Sequence, residues 1–244
     1  MGTPANYFDE PVASRYDADY AALADPTVLD PAVELLAALA GAGAALELGV
    51  GTGRVALPLH ARGVPVHGID LSGAMLARLR EKPGGDAIAL TEGDFATTRV
   101  DGTFTLAFIV RNTLWNLTTQ DAQVDCFRNV AAHLEPGGCF VVELFVPRLQ
   151  FLPVGETFLP FVVTPTHLGI DEYDVVTQAL VSHHYRPGTG GAEHRAVPGR
   201  YAWPAELDLM ARLAGMSLRE RWADWDRTPF TSESASHVSV WQKD

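Results

Sequence analysis

One stretch constrains this chain more than any other. Residues 45–71 read A-L-E-L-G-V-G-T-G-R-V-A-L-P-L-H-A-R-G-V-P-V-H-G-I-D-L. Apolar residues crowd 45–48 just ahead of a glycine cluster, the pattern of a short buried strand. Gly49, Gly51 and Gly53 then predict a turn, 54–62 a helix, and 65–69 a second strand ending at Asp70. A turn without side chains lets backbone N–H groups and a helix N-terminus approach a ligand closely. The acid about twenty residues on falls at the tip of the neighbouring strand, where its carboxylate can accept hydrogen bonds from ribose hydroxyls. The plain alternative is a tight strand-to-helix turn that binds nothing.

The glycines read G-x-G-x-G, with Glu47 two residues ahead, and not the G-x-G-x-x-G that cradles a pyrophosphate. With Glu47, Arg54 and Asp70 in place, the pattern resembles motif I of the class I S-adenosylmethionine-dependent methyltransferases, in their small-molecule, natural-product branch. The resemblance covers residues 30–146 and 204–242. It implies an α/β fold: a Rossmann-like seven-stranded sheet, its last strand antiparallel, with helices on both faces. It also implies S-adenosyl-L-methionine as cofactor, leaving as S-adenosyl-L-homocysteine, bound by Glu47, Gly49, Gly51, Gly53, Arg54, Asp70 and Leu71. In T-E-G-D-F-A, Asp94 matches the acid that accepts from the adenine amino group, and Phe95 supplies the backbone N–H for a ring nitrogen. Alone, a Gly-Asp pair marks turns everywhere; its place one strand after Asp70 makes it informative.

A chain of 244 residues can bury a full core, and 1–244 reads as one domain with an elaboration. Apolar residues at 47% and charged residues at 20% suit a globular chain. The net charge of −12, with 18 Lys and Arg against 30 acids, argues against a nucleic-acid partner and for a small-molecule substrate. No run is long and apolar enough to span a bilayer, and residues 1–9 lack a basic region followed by an apolar one, so a cytoplasmic protein without a membrane partner is expected. Cys126 and Cys139 read as small core residues and not as a disulfide.

Residues 1–29 are aromatic and acidic, with Tyr16 and Tyr20 spaced to share a helix face. This segment is either an amphipathic helix docked on the body or, as the resemblance implies, a lid that places Tyr16 and Tyr7 over the cofactor. A helix is expected to begin at Asp30-Pro31 and run to Ala40, another from the Ser72 cap to Arg80, and a third strand over 87–90. The apolar run 104–110 predicts a strand covered on both faces, ending at R-N-T-L-W-N-L. Ligands of open α/β sheets sit beyond strand carboxyl ends. The resemblance puts the backbone at Val110 against the cofactor's methionine amine, with Asn112, Trp115 and Asn116 as pocket candidates; Trp115 could equally pack in the core. A helix over 120–134 carries His133 near its C-terminus, placed against the helix dipole. Within the fifth strand, 139–146, the acid Glu143 needs a partner: it is paired structurally or pointed at substrate.

Residues 147–203 change character, with strand patterns near 157–163, 173–185 and 194–201 and a turn over 187–191. They read as an antiparallel insertion, either a substrate lid or an oligomer contact, so a homo-oligomer is one reading. The insertion holds His167, His183, His184 and His194, but neighbouring strand residues face opposite ways and no metal site is expected. A helix over 205–214 and strands over 217–225 and 237–241 close the chain. An amine acceptor needs only to be neutral, whereas a hydroxyl wants a positioned base. Tyr7, Tyr16, Asn112 and Trp115, with Glu143, are aromatic, amide-like and acidic catalytic-site candidates, which suits N-methylation of a small amine. An O-methyltransferase with a histidine base is the alternative. More distant are a nicotinamide-dependent oxidoreductase and a non-catalytic cofactor sensor.

Overall fold

The computed structural model describes residues 6–188 and 190–244. Residues 1–5 of the expected N-terminal segment, and Thr189 of the expected 187–191 turn, lie outside the described residues. After helix α1 (Glu10–Asp19) the chain runs through α2 (Pro26–Ala40), β1 (Ala45–Leu48), α3 (Ala56–Ala61), β2 (Val66–Asp70), α4 (Gly73–Arg80), β3 (Ala89–Glu92) and β4 (Phe104–Ile109). Next come α5 (Gln120–His133) and β5 (Leu134–Phe145). These strands join β10 (Met216–Trp222) and β11 (Ser236–Lys243), which follow helix α6 (Pro204–Leu213), in a seven-stranded sheet ordered β10-β11-β5-β4-β1-β2-β3. All neighbours pair in parallel except β11, which runs antiparallel to both β5 and β10. This is the α/β architecture expected from the sequence.

Helices cover both faces. On one, Phe127 of α5 meets Phe140 and Trp241 edge-on, with ring centroids 5.0 and 5.4 Å apart. On the other, Leu36, Leu59, Leu76 and Leu79 of α2, α3 and α4 are fully buried against the sheet. Both cysteines are free and buried.

Several boundaries differ from expectation for local reasons. α2 starts at Pro26 and not at Pro31, because Asp25 caps it by accepting from the Thr27 N–H at 2.9 Å. β3 lies two residues later than expected, after the chain makes a 3-10 turn at Gly85–Ala87. β5 begins at Leu134 and carries the Pro-Gly-Gly segment within it, across a register irregularity opposite Phe104 and Leu106. His133 does sit at the end of α5, but burial lowers its pKa. Its Nε2 accepts from the Val100 N–H, leaving Nδ1 to donate to the Asn129 carbonyl, so it is a neutral ring and not a cation on the dipole.

The insertion forms a second, antiparallel sheet of four strands: β6 (Phe158–Thr164), β7 (His167–Tyr173), β8 (Ala179–Gly188) and β9 (Gly191–Arg200). The sequence pattern shows three of these; β7 is a separate strand, and the residues after it, 174–177, form a turn held by Asp174. Arg200, only 3% exposed, fastens this sheet to the body. Its guanidinium reaches Gln123 of α5, Gln178 and Glu206 of α6 at 2.7, 2.8 and 2.7 Å. Burial alone would raise the Glu206 pKa, but its bonds from Gln178, Arg200 and Gln120 hold it below the usual value.

Removing Arg200 leaves the half-buried Glu206 carboxylate with only the Gln178 and Gln120 amides as partners among the described residues. Arg200→Ala is expected to cost about 3–5 kcal/mol of unfolding free energy by denaturant titration. Because the folded-state pKa of Glu206 is depressed, this stabilisation is present above the ordinary glutamate range and lost as pH falls through the folded value. The difference between wild type and variant is therefore expected to shrink below about pH 4.

Candidate active site

The turn after β1 is held from two sides. Gly49 and Gly51 adopt φ of +75° and +54°, a left-handed backbone that residues with a Cβ seldom take. The Gly49 and Val50 N–H groups donate to the Ile69 carbonyl at 2.7 and 3.1 Å, tying the turn to β2. The Gly51 N–H donates to Asp70 Oδ2 and the Ser72 N–H to Asp70 Oδ1, each at 2.8 Å. Each carboxylate oxygen keeps a lone pair for a further donor. Burial pushes the Asp70 pKa up against the pull of those two amides.

A cleft opens beside this turn. Gly49, Gly51 and Asp70 line it, and a Cβ at Gly51 would meet nothing within 4 Å, so the backbone there faces open space. Leu71, Met75 and Phe95 give it an apolar end, next to Asp94. Asp94 uses Oδ1 on the Ala96 N–H at 2.9 Å, which makes a tight turn. Tyr7, Phe8 and Tyr16 reach the cleft from the N-terminal segment, and Thr113 and Asn116 from the loop after β4. The Tyr16 ring packs on Tyr20 at 4.8 Å and edge-on to Phe8 at 6.2 Å. Burial raises its phenol pKa, and the charges of Arg54, Arg111 and Asp70 act on it.

Glu47, 2% exposed, leaves Oε2 without a partner. Burial pushes its pKa up to about 8, against the opposing charge of Arg54. An orphaned buried carboxyl at the start of the glycine turn fits a ligand that brings a hydrogen-bond donor, as the ammonium of a sulfonium nucleoside's methionine end would. Arg54 lies on a neighbouring recess, together with Val110, Arg111, Asn112, Glu143 and Phe145. There the chain makes an unusual bend: Arg111 and Asn112 both have left-handed φ, 54° and 63°. Glu143 Oε2 accepts from the Arg111 N–H at 2.8 Å, and the Asn112 Oδ1 accepts from the Phe145 N–H at 2.7 Å. Glu143 is thus paired to the backbone, and Asn112 clamps β4 to β5.

Trp115 lies outside the cleft lining. It sits in a 3-10 turn (Thr113–Asn116), with its ring so close to Gly199 of β9 that a Cβ there would fall 2.3 Å from it. It bridges the main core and the insertion's small cluster of Tyr173, Leu180 and Tyr201. The insertion histidines pair with one another: His167 Nε2 with His184 Nδ1 at 2.9 Å, and His183 Nδ1 with His194 Nε2 at 3.0 Å. His183 Nε2 also meets Glu172 at 3.1 Å. None of the four lines the cleft beside the glycine turn. Among the described residues no three His, Cys, Asp or Glu gather as metal ligands. Sequence reasoning passed over Thr113 and Met75 as lining residues. The polar Thr113, next to the left-handed pair, is signalled only by that bend, which the side chains do not announce.

Two measurements test the cleft as the site of the expected sulfonium nucleoside. Asp70→Ala is expected to weaken S-adenosylhomocysteine binding by about 1–3 kcal/mol in calorimetry. Glu47 is protonated below its raised pKa, so pairing with an ammonium releases a proton. Affinity is therefore expected to rise with pH up to about 8, with proton release visible across buffers of different ionisation enthalpy, and Glu47→Gln is expected to flatten the rise.

Comparison with known proteins agrees with this geometry. Residues 45–138 match the family described as "Methyltransferase domain". The chain is 28% identical over 205 residues to the Cypemycin N-terminal methyltransferase of Streptomyces sp, covering 81% of this chain and 82% of that one. It is 44% identical to the CcbJ methyltransferase from Streptomyces caelestis, covering 87% of this chain and 88% of that structure, with a TM-score of 0.78. An S-adenosylmethionine-dependent methyltransferase from Clostridium acetobutylicum shares the fold at 14% identity, covering 96% of this chain and 98% of that one, with a TM-score of 0.73. The glycine turn anchored on Asp70, the sheet order around it and these likenesses together place the chain in the class I S-adenosylmethionine-dependent methyltransferase family.

Proposed function

We propose that this enzyme N-methylates a small amine of natural-product metabolism. The observation that carries the reading is the lining of the cleft beside the glycine turn. From the N-terminal segment and the loop after β4 it presents Tyr7, Tyr16, Thr113 and Asn116, neutral groups that hydrogen-bond, and no histidine. The relative described as an N-terminal methyltransferase supports the same atom class.

Bound S-adenosylmethionine supplies an electrophilic methyl group on a sulfonium. Asp70 is oriented by Gly51 and Ser72 to take ribose hydroxyls, and Asp94 and Phe95 stand at the adenine end. Glu47 beside the turn, with Arg54 and the Val110 backbone on the neighbouring recess, would hold the methionine end. Tyr7 and Tyr16 enclose the acceptor and exclude water, while Asn116 and Thr113 orient its donor and acceptor groups. Alignment of this kind supplies roughly 7–11 kcal/mol of a displacement barrier. The acceptor nitrogen enters neutral and sheds its extra proton to solvent after transfer, so no side chain need act as base.

A panel of amines and phenols offered with labelled methyl cofactor tests this. Label is expected on amines alone, with kcat/KM rising with pH until the acceptor's own pKa. His184→Ala is expected to keep its rate; a hydroxyl acceptor with a histidine base would lose about 10²–10⁴-fold. Tyr16→Phe is expected to lower turnover more than cofactor affinity.

A further inference from the structure

One carboxylate joins three parts of the molecule that are distant in sequence. Asp17, on α1, accepts from the Thr52 hydroxyl at 2.6 Å through Oδ1 and from Lys82 Nζ at 2.7 Å through Oδ2. Lys82 Nζ, just beyond α4, also donates to the Thr52 carbonyl at 2.7 Å, which closes the triangle. Thr52 is the 2%-exposed residue between Gly51 and Gly53 of the glycine turn. Asp17 directly follows Tyr16, whose ring lines the cleft. The same segment is tied down again where the Phe8 carbonyl accepts from the Ser72 hydroxyl and where Glu10 pairs with Arg78. On its other side the Tyr7 carbonyl accepts from Arg195 of the insertion at 2.6 Å.

We propose that Asp17 is a positioning residue that couples closure of the N-terminal segment to the shape of the cofactor turn, setting Tyr16 over the cleft only while Thr52 and Lys82 are engaged. The proposal rests on the cleft beside the glycine turn being the cofactor site. Thr52 has no other hydrogen-bond partner for its hydroxyl among the described residues, so its side chain reports the state of α1 to the turn. Burial would raise the Asp17 pKa, but the Lys82 and Thr52 bonds lower it, so the carboxylate stays charged at neutral pH. The Lys82 contact is partly exposed, with the two side chains 28% and 54% accessible, and is therefore open to screening by salt. Phe8 and Tyr16 both line the cleft, so loosening the segment that carries them by breaking the triangle eases release of a bound nucleoside.

Stopped-flow release of S-adenosylhomocysteine, with kcat measured beside it, tests the proposal. Asp17→Ala is expected to release the nucleoside about tenfold faster, the loss of a charge-assisted hydrogen bond, and to lower kcat with little change in thermal midpoint. Wild-type release is expected to quicken with ionic strength, and less so in Asp17→Asn, which keeps an acceptor for Thr52 but not the charge. Exchanging the pair, Asp17→Lys with Lys82→Asp, is expected to recover part of the slow release lost in either single variant. If Asp17→Ala changes neither release nor kcat while Asp70→Ala weakens binding, the coupling is wrong and the cofactor site stands. If Asp70→Ala also leaves binding unchanged, the site itself is wrong and the coupling falls with it. A lower thermal midpoint with unaltered release and kcat marks Asp17 as ordinary packing and overturns the proposal.

Discussion

A single half-buried carboxylate organises the edge of the sheet that bears the cleft. Asp70 ends β2 and accepts one N–H from the glycine turn and one from the start of α4. Those two bonds hold a turn whose left-handed glycines would otherwise be loose, since glycine loses more freedom on ordering than any other residue. They also orient both oxygens before any ligand arrives, so little further ordering is needed on binding. Burial works against the charge, and the pair of amides works for it. The position of the carboxylate is therefore the outcome of a balance, and the parallel pairing of β1 with β2 sets where that balance is struck.

The half of the chain that repeats strand, turn and helix was legible because its signals are local. β1 falls where the apolar run predicts it, and Ser72 caps α4 by accepting from the Met75 N–H at 3.2 Å. The misjudged boundaries arise where a distant or competing group decides. Pro31 reads as a helix start, yet Asp25 offers a better cap, and the helix tolerates the proline at its sixth position. The strand pattern of the insertion hid β7, because Gly169 and the turn residues at 164–167 weaken the alternation that marks a strand. At the site, glycines and acids announce themselves through spacing. Asp17 and Lys82 do not, since their meeting with Thr52 is made by the fold alone.

The insertion is an antiparallel sheet with exposed apolar residues on β6, including Phe158 and Val163. Its attachment is polar as well as apolar. Arg200 is nearly buried, yet its guanidinium finds Gln123, Gln178 and Glu206, so the desolvation of one charge is met by three partners drawn from α5, the β7–β8 turn and α6. Such geometry admits one arrangement where apolar packing would admit several. The Trp115 ring packs closely against Gly199 in the same region, so the loop that follows β4 is registered against β9 and not left to solvent.

That loop shows how strain is maintained beside a cleft. Two consecutive left-handed residues, neither of them glycine, cost of order 1–3 kcal/mol each, although asparagine takes this conformation more readily than most. Opposing this, the Glu143 carboxylate and the Asn112 amide each close a hydrogen bond to a backbone N–H, and the Asn112 N–H donates to the Glu143 carbonyl at 3.2 Å. A charge-assisted bond contributes about 1.5–3 kcal/mol and a neutral one about 0.5–1.5, so the bonds are large enough to hold the bend. An acid in an apolar strand is thereby explained by the backbone it meets. Because the bend turns the chain sharply, Arg111 faces the recess it shares with Arg54 while Thr113 and Asn116 face the glycine turn. The geometry of two neighbouring cavities thus depends on the three hydrogen bonds that hold this bend.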